Sequence, residues 1–588
     1  MRYLRMLSNS VLGGVLGAAY LTILFLQLNP NLPLEPATVA PLFVTLALSY
    51  GVHLSVMFYM LIVLRQLVAS ELLSPGWISF RVLSWLATAV AGAVALEMWL
   101  NLRGFGGMLE ADTARRMATG AIGLTVCAVV LLLIALVHYS FGRRGSRVSA
   151  TLFALAVVAS LSLPVAARGP GVRRPLGARR LDVAAEPATT AGSPRVVMLL
   201  LDGGSLDLVS TAAAEGRLPN FAKLLDAGAV MHLATVKPTQ PATVWTAVAT
   251  GKLPPKNGVR SSARYEVRAA GSEALELLPQ FCFSHGLVYF GFITEQPHTS
   301  AAVRATPVWS ILSRHGIPVG VVGWPLTHPA VPVRGFLVTD EFHRLGAASL
   351  EADEPDALYP PDLLPVAREA AEQPAADESA GRVRAWMASG QVPPDVFDGQ
   401  PYSSDRLYAK VAAELRLVTN PRFVALRYRG LDAVGHDFLR YAMPRTFGDV
   451  SEEERLRYGQ VIHAYYSVVD GAVGQAMQWL EPEDLLLVVS GFGMQPLPVG
   501  KRLLERALGN PDHSGTHEGA PDGFLLAYGT AVAPGRRDRA SVVDITPTIL
   551  YFLGLPVGRD MDGYARTDIF RPSFTEDRPI TFIPTYDR

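Results

Sequence analysis

Five apolar runs crowd the first 170 residues, roughly Val11–Leu28, Val39–Leu64, Val82–Leu100, Met117–Tyr139 and Val148–Ala166. Each is near the ~20 residues that a helix needs to cross a bilayer core. No other feature limits the fold as strongly. In hydrocarbon every backbone N–H and C=O must be paired, and a single apolar run can do that only as a helix. Arg2 and Arg5 precede the first run as they would in a signal peptide, but four further runs follow closely, which favours a retained first span. Five spans place the two chain ends on opposite sides. Arg2, Arg5, Arg65, Arg81, Arg143, Arg144 and Arg147 fall on the N-terminal side and mark it as cytoplasmic. Arg103, Arg115 and Arg116, and Arg168, Arg173, Arg174, Arg179 and Arg180, work against that assignment. The expectation is a multi-pass protein of the cell (inner) membrane, with the lipid bilayer as a partner and a large C-terminal domain that is periplasmic or extracellular. His53 and Glu97 lie inside the runs. An ionisable group there marks function unless, like Glu97, it sits near a span end and reaches the interface.

A chain of 588 residues exceeds one ordinary core. Lys+Arg and Asp+Glu balance at 52 each, so no charge bias points to nucleic acid, and none is expected as a partner. Of the two cysteines, Cys127 falls in the fourth span and Cys282 is alone in the large domain, which excludes an internal disulfide there. The stretch 168–193 is rich in Pro, Gly, Ala and Arg without apolar periodicity and reads as a linker. The boundaries expected are therefore 1–167 for a helical transmembrane domain, 168–193 for the linker and 194–588 for the large domain.

In the large domain short apolar runs alternate with helical patterns, the signature of an α/β fold with a mostly parallel central sheet flanked by helices. Candidate strands are Val196–Leu201, Val319–Val322, Phe423–Tyr428, Leu485–Val489 and Phe524–Tyr528; candidate helices include Pro219–Ala227, Pro307–His315 and Glu452–Leu480. Pro393–Ser404 reads as a surface excursion. In VVMLLLDGGS, Asp202 ends a strand and enters a Gly-Gly turn, as a turn aspartate or as a metal ligand at the sheet edge. In FVALRYRGLDAVGHDF, Asp432 and His436 stand four residues apart just beyond a strand. An Asp and a neutral imidazole at this separation can hold Zn²⁺ together, or can merely begin a polar helix. His517, in SGTHEGAPDGFLLAYG, would complete three protein ligands and leave one position open.

Read in order, VVMLLLDGG, EGRLPNFAKLLDAGA, PTQPATVWTAVATGKLPPKNGV, TPVWSILSRHGIPVGVVGWPLTHP, YRGLDAVGHDF, SGTHEGAPDG and VVDITPTILYFLGLP resemble the alkaline phosphatase superfamily, from about Pro194 to Phe570. The closest branch is the type I phosphodiesterase/nucleotide pyrophosphatase-like group. The resemblance implies two metal ions, commonly zinc, set against a Ser or Thr nucleophile at a helix N-terminus. It places Asp432, His436 and His517 on one ion. On the other it places Asp202, the nucleophile and an Asp-His pair. The chain departs from that pattern in DLLLVVSGFGMQP, where Gly491 and Phe492 hold the pair's places. Neither side chain can bind a metal. The nucleophile's place falls on Pro241, with Thr239 two positions early and Thr243 two late; as a bland alternative both threonines cap or line the following helix. Asn257 replaces a histidine common in the family.

What the resemblance implies is a membrane-anchored, metal-dependent hydrolase or transferase acting on phosphate esters or diesters of a small molecule or lipid head group, with Thr239 or Thr243 as catalytic candidates. One well-formed divalent metal site is expected, zinc by its ligands, and an atypical second one. His513 and His343 are the histidines available to repair it. The layout, a phosphodiesterase-like domain after five spans, is similar to that of the phosphoethanolamine and phosphoglycerol transferases. The alternative is a catalytically degenerate pseudoenzyme that serves as an envelope binding or scaffold protein.

Overall fold

A computed structural model describes residues 1–68, 76–140, 147–171, 194–268, 274–344, 355–372, 402–510, 512–519 and 521–587, with isolated positions between 381 and 397. The linker expected at 168–193 lies outside the described residues from 172 onward, as do six of the twelve positions of 393–404. The other positions correct the surface excursion expected there: Val396, Phe397 and Tyr402 are buried in the core of the sheet unit, where the Phe397 ring packs on those of Tyr402 and Tyr465, and a helix begins at Tyr402. Two compact units emerge. One comprises Met1–Leu176 and Arg260–His298, the other Gly177–Val259 and Thr299–Arg588. The segment Arg260–His298 thus leaves the α/β unit in sequence and packs with the N-terminal helices.

The first unit contains five helices long and apolar enough to span a membrane: α1 (Arg2–Leu28), α2 (Pro36–Val68), α3 (Phe80–Phe105), α4 (Ala111–Ser140) and α5 (Arg147–Arg168). Helix α1 is enclosed by the rest, with Leu24, Phe25 and Leu28 fully buried, whereas α4 and α5 keep residues such as Leu133 and Leu155 exposed. An all-round apolar helix suits an interior or lipid setting. Polar side chains join the helices. Tyr20 Oη and Ser160 Oγ lie 2.5 Å apart, and Gln27 Nε2 donates to Pro164 O at 2.6 Å. The Arg168 guanidinium donates to Leu26 O, Asn29 O and Leu32 O (2.5, 2.9 and 2.5 Å). Leu26 O is one of the carbonyls that the end of α1 leaves without an intrahelical partner, and Asn29 O and Leu32 O belong to the turn just beyond it. His53 Nδ1 lies 2.6 Å from Ser49 O one turn back, and Glu97 accepts from Asn101 Nδ2 at 3.3 Å. The segment Arg260–His298 adds an antiparallel pair, Ala263–Val267 with Ile293–Pro297.

The second unit is built on a ten-stranded sheet. Its strands are β1 (Val196–Leu201), β2 (Ala229–Ala234), β3 (Val319–Trp324), β4 (Gly335–Thr339), β5 (Leu358–Tyr359), β6 (Phe423–Tyr428), β7 (Leu485–Phe492), β8 (Asp522–Tyr528), β9 (Gly535–Arg536) and β10 (Ala540–Ser541). They run in the order β9-β2-β8-β7-β1-β6-β3-β4-β5, with β10 also on β2. The centre, β4-β3-β6-β1-β7, is parallel; β8 runs antiparallel to both its neighbours, and β5 to β4. Strands β1, β6 and β7 are buried at every position, which is why they read as continuous apolar runs. Four helices bear on the site: α6 (Pro241–Thr250), α7 (Tyr402–Thr419), α8 (Gly430–Ala442) and α9 (Val461–Gln478). The fold is the α/β architecture expected, with helices on the sheet and the ends of β1, β6 and β7 side by side.

Candidate metal centre

Crevices form at the C-terminal ends of parallel strands, and the chain spends its polar residues there. Asp202 follows β1 directly, and its N–H donates to Tyr428 O at 3.1 Å. Gly203 then turns with φ at 72°. A Cβ on Gly203 would stand 2.9 Å from Asp432 Cα, so only glycine lets the start of α8 approach. Asp405, on α7, anchors that start. Its carboxylate accepts from Arg429 N and Gly430 N at 2.9 Å each and from Tyr465 Oη at 2.7 Å. Burial pushes the Asp405 carboxyl up to about 6, against the pull of these donors.

Helix α8 carries Asp432 and His436 one turn apart, with His436 Nε2 3.6 Å from Asp432 Oδ2. His517 comes from the chain just after Gly515–Thr516, a short strand paired with Gln495–Pro496. One ligand atom from each of Asp432, His436 and His517 lies within 4.8 Å of the others. Each imidazole has its Nδ1 on a backbone carbonyl: His436 on Gly515 O and His517 on Thr239 O, both at 2.9 Å. A carbonyl can only accept, so Nδ1 bears the hydrogen and Nε2 keeps its lone pair. Asp432 Oδ1 is buried and has no hydrogen-bond partner. A bare buried carboxylate oxygen is costly unless something positive reaches it. Two nitrogens and one oxygen, with a coordination position to spare, suit zinc or a similar divalent ion. Burial draws the His436 imidazole down, but the Asp432 carboxylate more than offsets this and holds it above its ordinary 6.5.

Asp202 stands outside this group. Arg427, on β6 directly opposite Leu200 of β1, donates to Asp202 Oδ2 from Nη2 at 2.5 Å and Nε at 3.1 Å. Trp245 Nε1 donates to Asp202 Oδ1 at 2.6 Å. Both members of the ion pair are buried. Burial disfavours the Arg427 charge, yet Asp202 outweighs it and raises the guanidinium above its usual range. Where the family resemblance would put an Asp-His pair, space is closed as well. A Cβ on Gly491 would come within 2.6 Å of Val244 Cγ1, and the buried Phe492 ring packs 5.2 Å from that of His517.

The two threonines diverge. Thr239 Oγ1 donates to Val236 O at 3.1 Å, while its own carbonyl orients His517. Thr243 is buried in the first turn of α6, and its hydroxyl has no partner. His513 stacks on His436 with centroids 4.9 Å apart, near Asp437. His343 belongs elsewhere, with Nδ1 2.9 Å from Asp340 O; burial first, then Arg429, lowers it to about 4. Sequence reasoning missed Arg427 and Asp405. Arginine in the otherwise apolar FVALRY was the available signal, since a buried charge requires a partner; nothing in the sequence around Asp405 sets it apart.

The model of one protein family, type I phosphodiesterase / nucleotide pyrophosphatase, matches residues 196–545, more than half of the chain. The chain belongs to this family. The phosphodiesterase/nucleotide pyrophosphatase match runs from β1 through the start of the helix after β10 and so contains every residue of the candidate centre. It is a hydrolase family, typically metal-dependent, and here its domain follows helices of membrane-spanning length. No curated protein matches the chain.

Proposed function

We propose that this family member is a membrane-anchored hydrolase or transferase of phosphate esters and diesters that works with one divalent ion. One observation carries the reading: the unpaired Asp432 Oδ1 converges with two imidazoles whose Nε2 atoms are left as acceptors. Asp432, His436 and His517 would hold the ion, zinc by its ligands. What a bound divalent ion supplies here is Lewis-acid chemistry at a phosphoryl oxygen and a more acidic water. Arg427, fixed on Asp202, offers at the same sheet edge the positive charge that a second ion would bring. With Thr239 Oγ1 occupied by Val236 O, water is the preferred nucleophile, and Thr243 is the protein-borne alternative. The substrate is a phosphate-containing small molecule or lipid head group at the outer membrane-facing surface, a placement supported by the five spans and the arginine bias of the loops.

A second reading rests on Gly491 and Phe492. Their replacement of two ligands, together with the closed Asp202–Arg427 pair, fits a scaffold that has kept the fold and lost turnover. Elemental analysis of the purified full chain in detergent separates the two. It is paired with hydrolysis of bis(p-nitrophenyl) phosphate, nucleotides and phospholipid head groups, with and without chelator. About one equivalent of metal and chelator-sensitive turnover are expected. Metal-free, inactive protein would favour the scaffold, and turnover indifferent to chelator would refute the single-ion mechanism.

A further inference from the structure

From Leu277 to Thr294 the chain carries no Asp, Glu, Lys or Arg. The family-matched region departs here from the sheet unit and packs with the helices α1, α2 and α3. Phe281, Phe283, Tyr289 and Phe290 are between 64 % and 73 % exposed. Four large rings left open to the surroundings in so short a stretch are unusual for a water-facing loop, where contiguous apolar patches mark an interaction surface.

The backbone of this segment is tied to the helices residue by residue. Asn29, just past α1, accepts from Glu276 N and Leu277 N (2.8 and 2.9 Å) and donates to Leu277 O (2.9 Å). Asn101 of α3 accepts from Gln280 N at 2.7 Å, and Tyr50 of α2 donates to Cys282 O at 2.7 Å. Tyr50 lies within a π-turn, Ala47–Gly51, a local widening that often accompanies functional positions. Phe281 and Phe283 hold φ at 69° and 55°, a region bulky residues seldom enter. The tethers on either side of them keep the rings turned outward instead of letting the loop fold over them.

Depth follows from helix rise. Arg65 and Arg81 mark one interface as basic residues at span ends do. At 1.5 Å per residue, Asn101 stands ~30 Å from Arg81, and Tyr50 ~22 Å from Arg65. The hydrocarbon core is about 30 Å thick. Gln280 is therefore held at the far edge of the core, and Cys282 several ångströms inside it. The neighbouring faces of α2 and α3 expose Leu48, Val52, Leu96 and Trp99, continuing the same apolar band.

We propose that Leu277–Thr294 is an interfacial loop that inserts Phe281, Phe283, Tyr289 and Phe290 into the lipid leaflet at the end of the bundle where α1 and α3 finish, so that the phosphodiesterase chain grips the bilayer through its own insert as well as through the spans. Phe and other large apolar side chains anchor interfacial segments at the headgroup–acyl boundary, and this run, whose one helix among the described residues is the short His285–Tyr289, could not pair its backbone across the hydrocarbon core. The occupant is the bilayer itself. A protein partner at the same patch is the competing outcome.

Nitroxide labels placed through Phe283→Cys and Phe290→Cys, in the full chain with Cys127→Ser and Cys282→Ala, test this in phosphatidylethanolamine/phosphatidylglycerol nanodiscs. Labels at Leu96→Cys and Glu215→Cys are the lipid and water references. Collision with oxygen should exceed collision with a water-soluble nickel chelate at both loop positions, by a ratio within about threefold of that at position 96. A ratio like that at position 215, at either loop position, overturns the proposal. The unsubstituted chain supplies the second measurement, photolysis with a phospholipid carrying a diazirine on its acyl chain. Adducts between residues 281 and 290 are expected. Adducts on the helices alone would overturn the proposal even if the cysteine variants misfold.

Discussion

Two corners of the same sheet edge handle buried charge in opposite ways. At one, Asp432 is left with an oxygen that nothing donates to, and two histidines turn their lone pairs toward the same space. At the other, Asp202 is fully engaged by Arg427 and Trp245, and glycine and phenylalanine occupy the places of further ligands. The first corner has unmet bonding capacity of the kind a cation would meet. The second carries its cation covalently, on a side chain. The second corner keeps the charge balance of its buried carboxylate through a neighbouring guanidinium, with no space left over.

The largest effect should come from unbalancing the closed corner. Arg427→Met leaves Asp202 buried and charged, which costs about 3–5 kcal/mol, whereas Arg427→Met with Asp202→Asn recovers most of it. Thermal unfolding of the full chain in detergent reads the difference. Metal content should stay the same in the double variant if the proposed single ion sits on Asp432, His436 and His517. His436→Ala breaks the open corner instead. Removing a direct ligand should weaken metal binding by more than about 100-fold, beyond what outer-shell changes cause, with metal content by elemental analysis as the readout.

Acid should act on the open corner. A proton on His436 competes with the ion, and its affinity for that proton is raised above the ordinary 6.5. The apparent metal affinity should therefore be greatest above that raised value and fall as pH drops through it, to about half at the histidine's own midpoint and by about tenfold for each further pH unit, which equilibrium dialysis across pH 5 to 8 would show. Asp405→Ala removes the acceptor for Arg429 N, Gly430 N and Tyr465 Oη. It should cost about 1–3 kcal/mol and loosen metal binding through the displaced start of α8. The smallest effect is expected from Thr239→Val, which removes a hydroxyl bonded to Val236 O but keeps the carbonyl that orients His517. Stability should fall by about 1 kcal/mol, with turnover near that of the parent chain; loss of all turnover with metal content unchanged would speak for Thr239 as the nucleophile.

Much of this was legible before the structure. Apolar runs with no alternation gave β1, β6 and β7, since a strand covered on both faces leaves no polar period to hide behind. Asp432 and His436 were legible as a pair because a helix start brings residues four apart onto one face. His517 needed the family's order of motifs, being far away in sequence. Nothing local pairs Arg427 with Asp202, since that contact exists only because β6 lies beside β1, a matter of sheet order. The detour of Arg260–His298 was missed for a similar reason. Its neighbours come from the first hundred residues, and no local signal says so.

That detour has a consequence for anyone handling the protein in pieces. The hydrogen bond from Asn29 to Leu277 joins residues 248 apart in the chain. A fragment trimmed at the linker to yield a soluble phosphodiesterase would keep Arg260–His298 while discarding the helices it rests on. Glu276, Leu277, Gln280 and Cys282 would lose their backbone partners, and an uncharged aromatic stretch would be bared to water. Such a fragment should clump on expression. The seam along which this protein can be cut does not coincide with the seam that its primary structure displays.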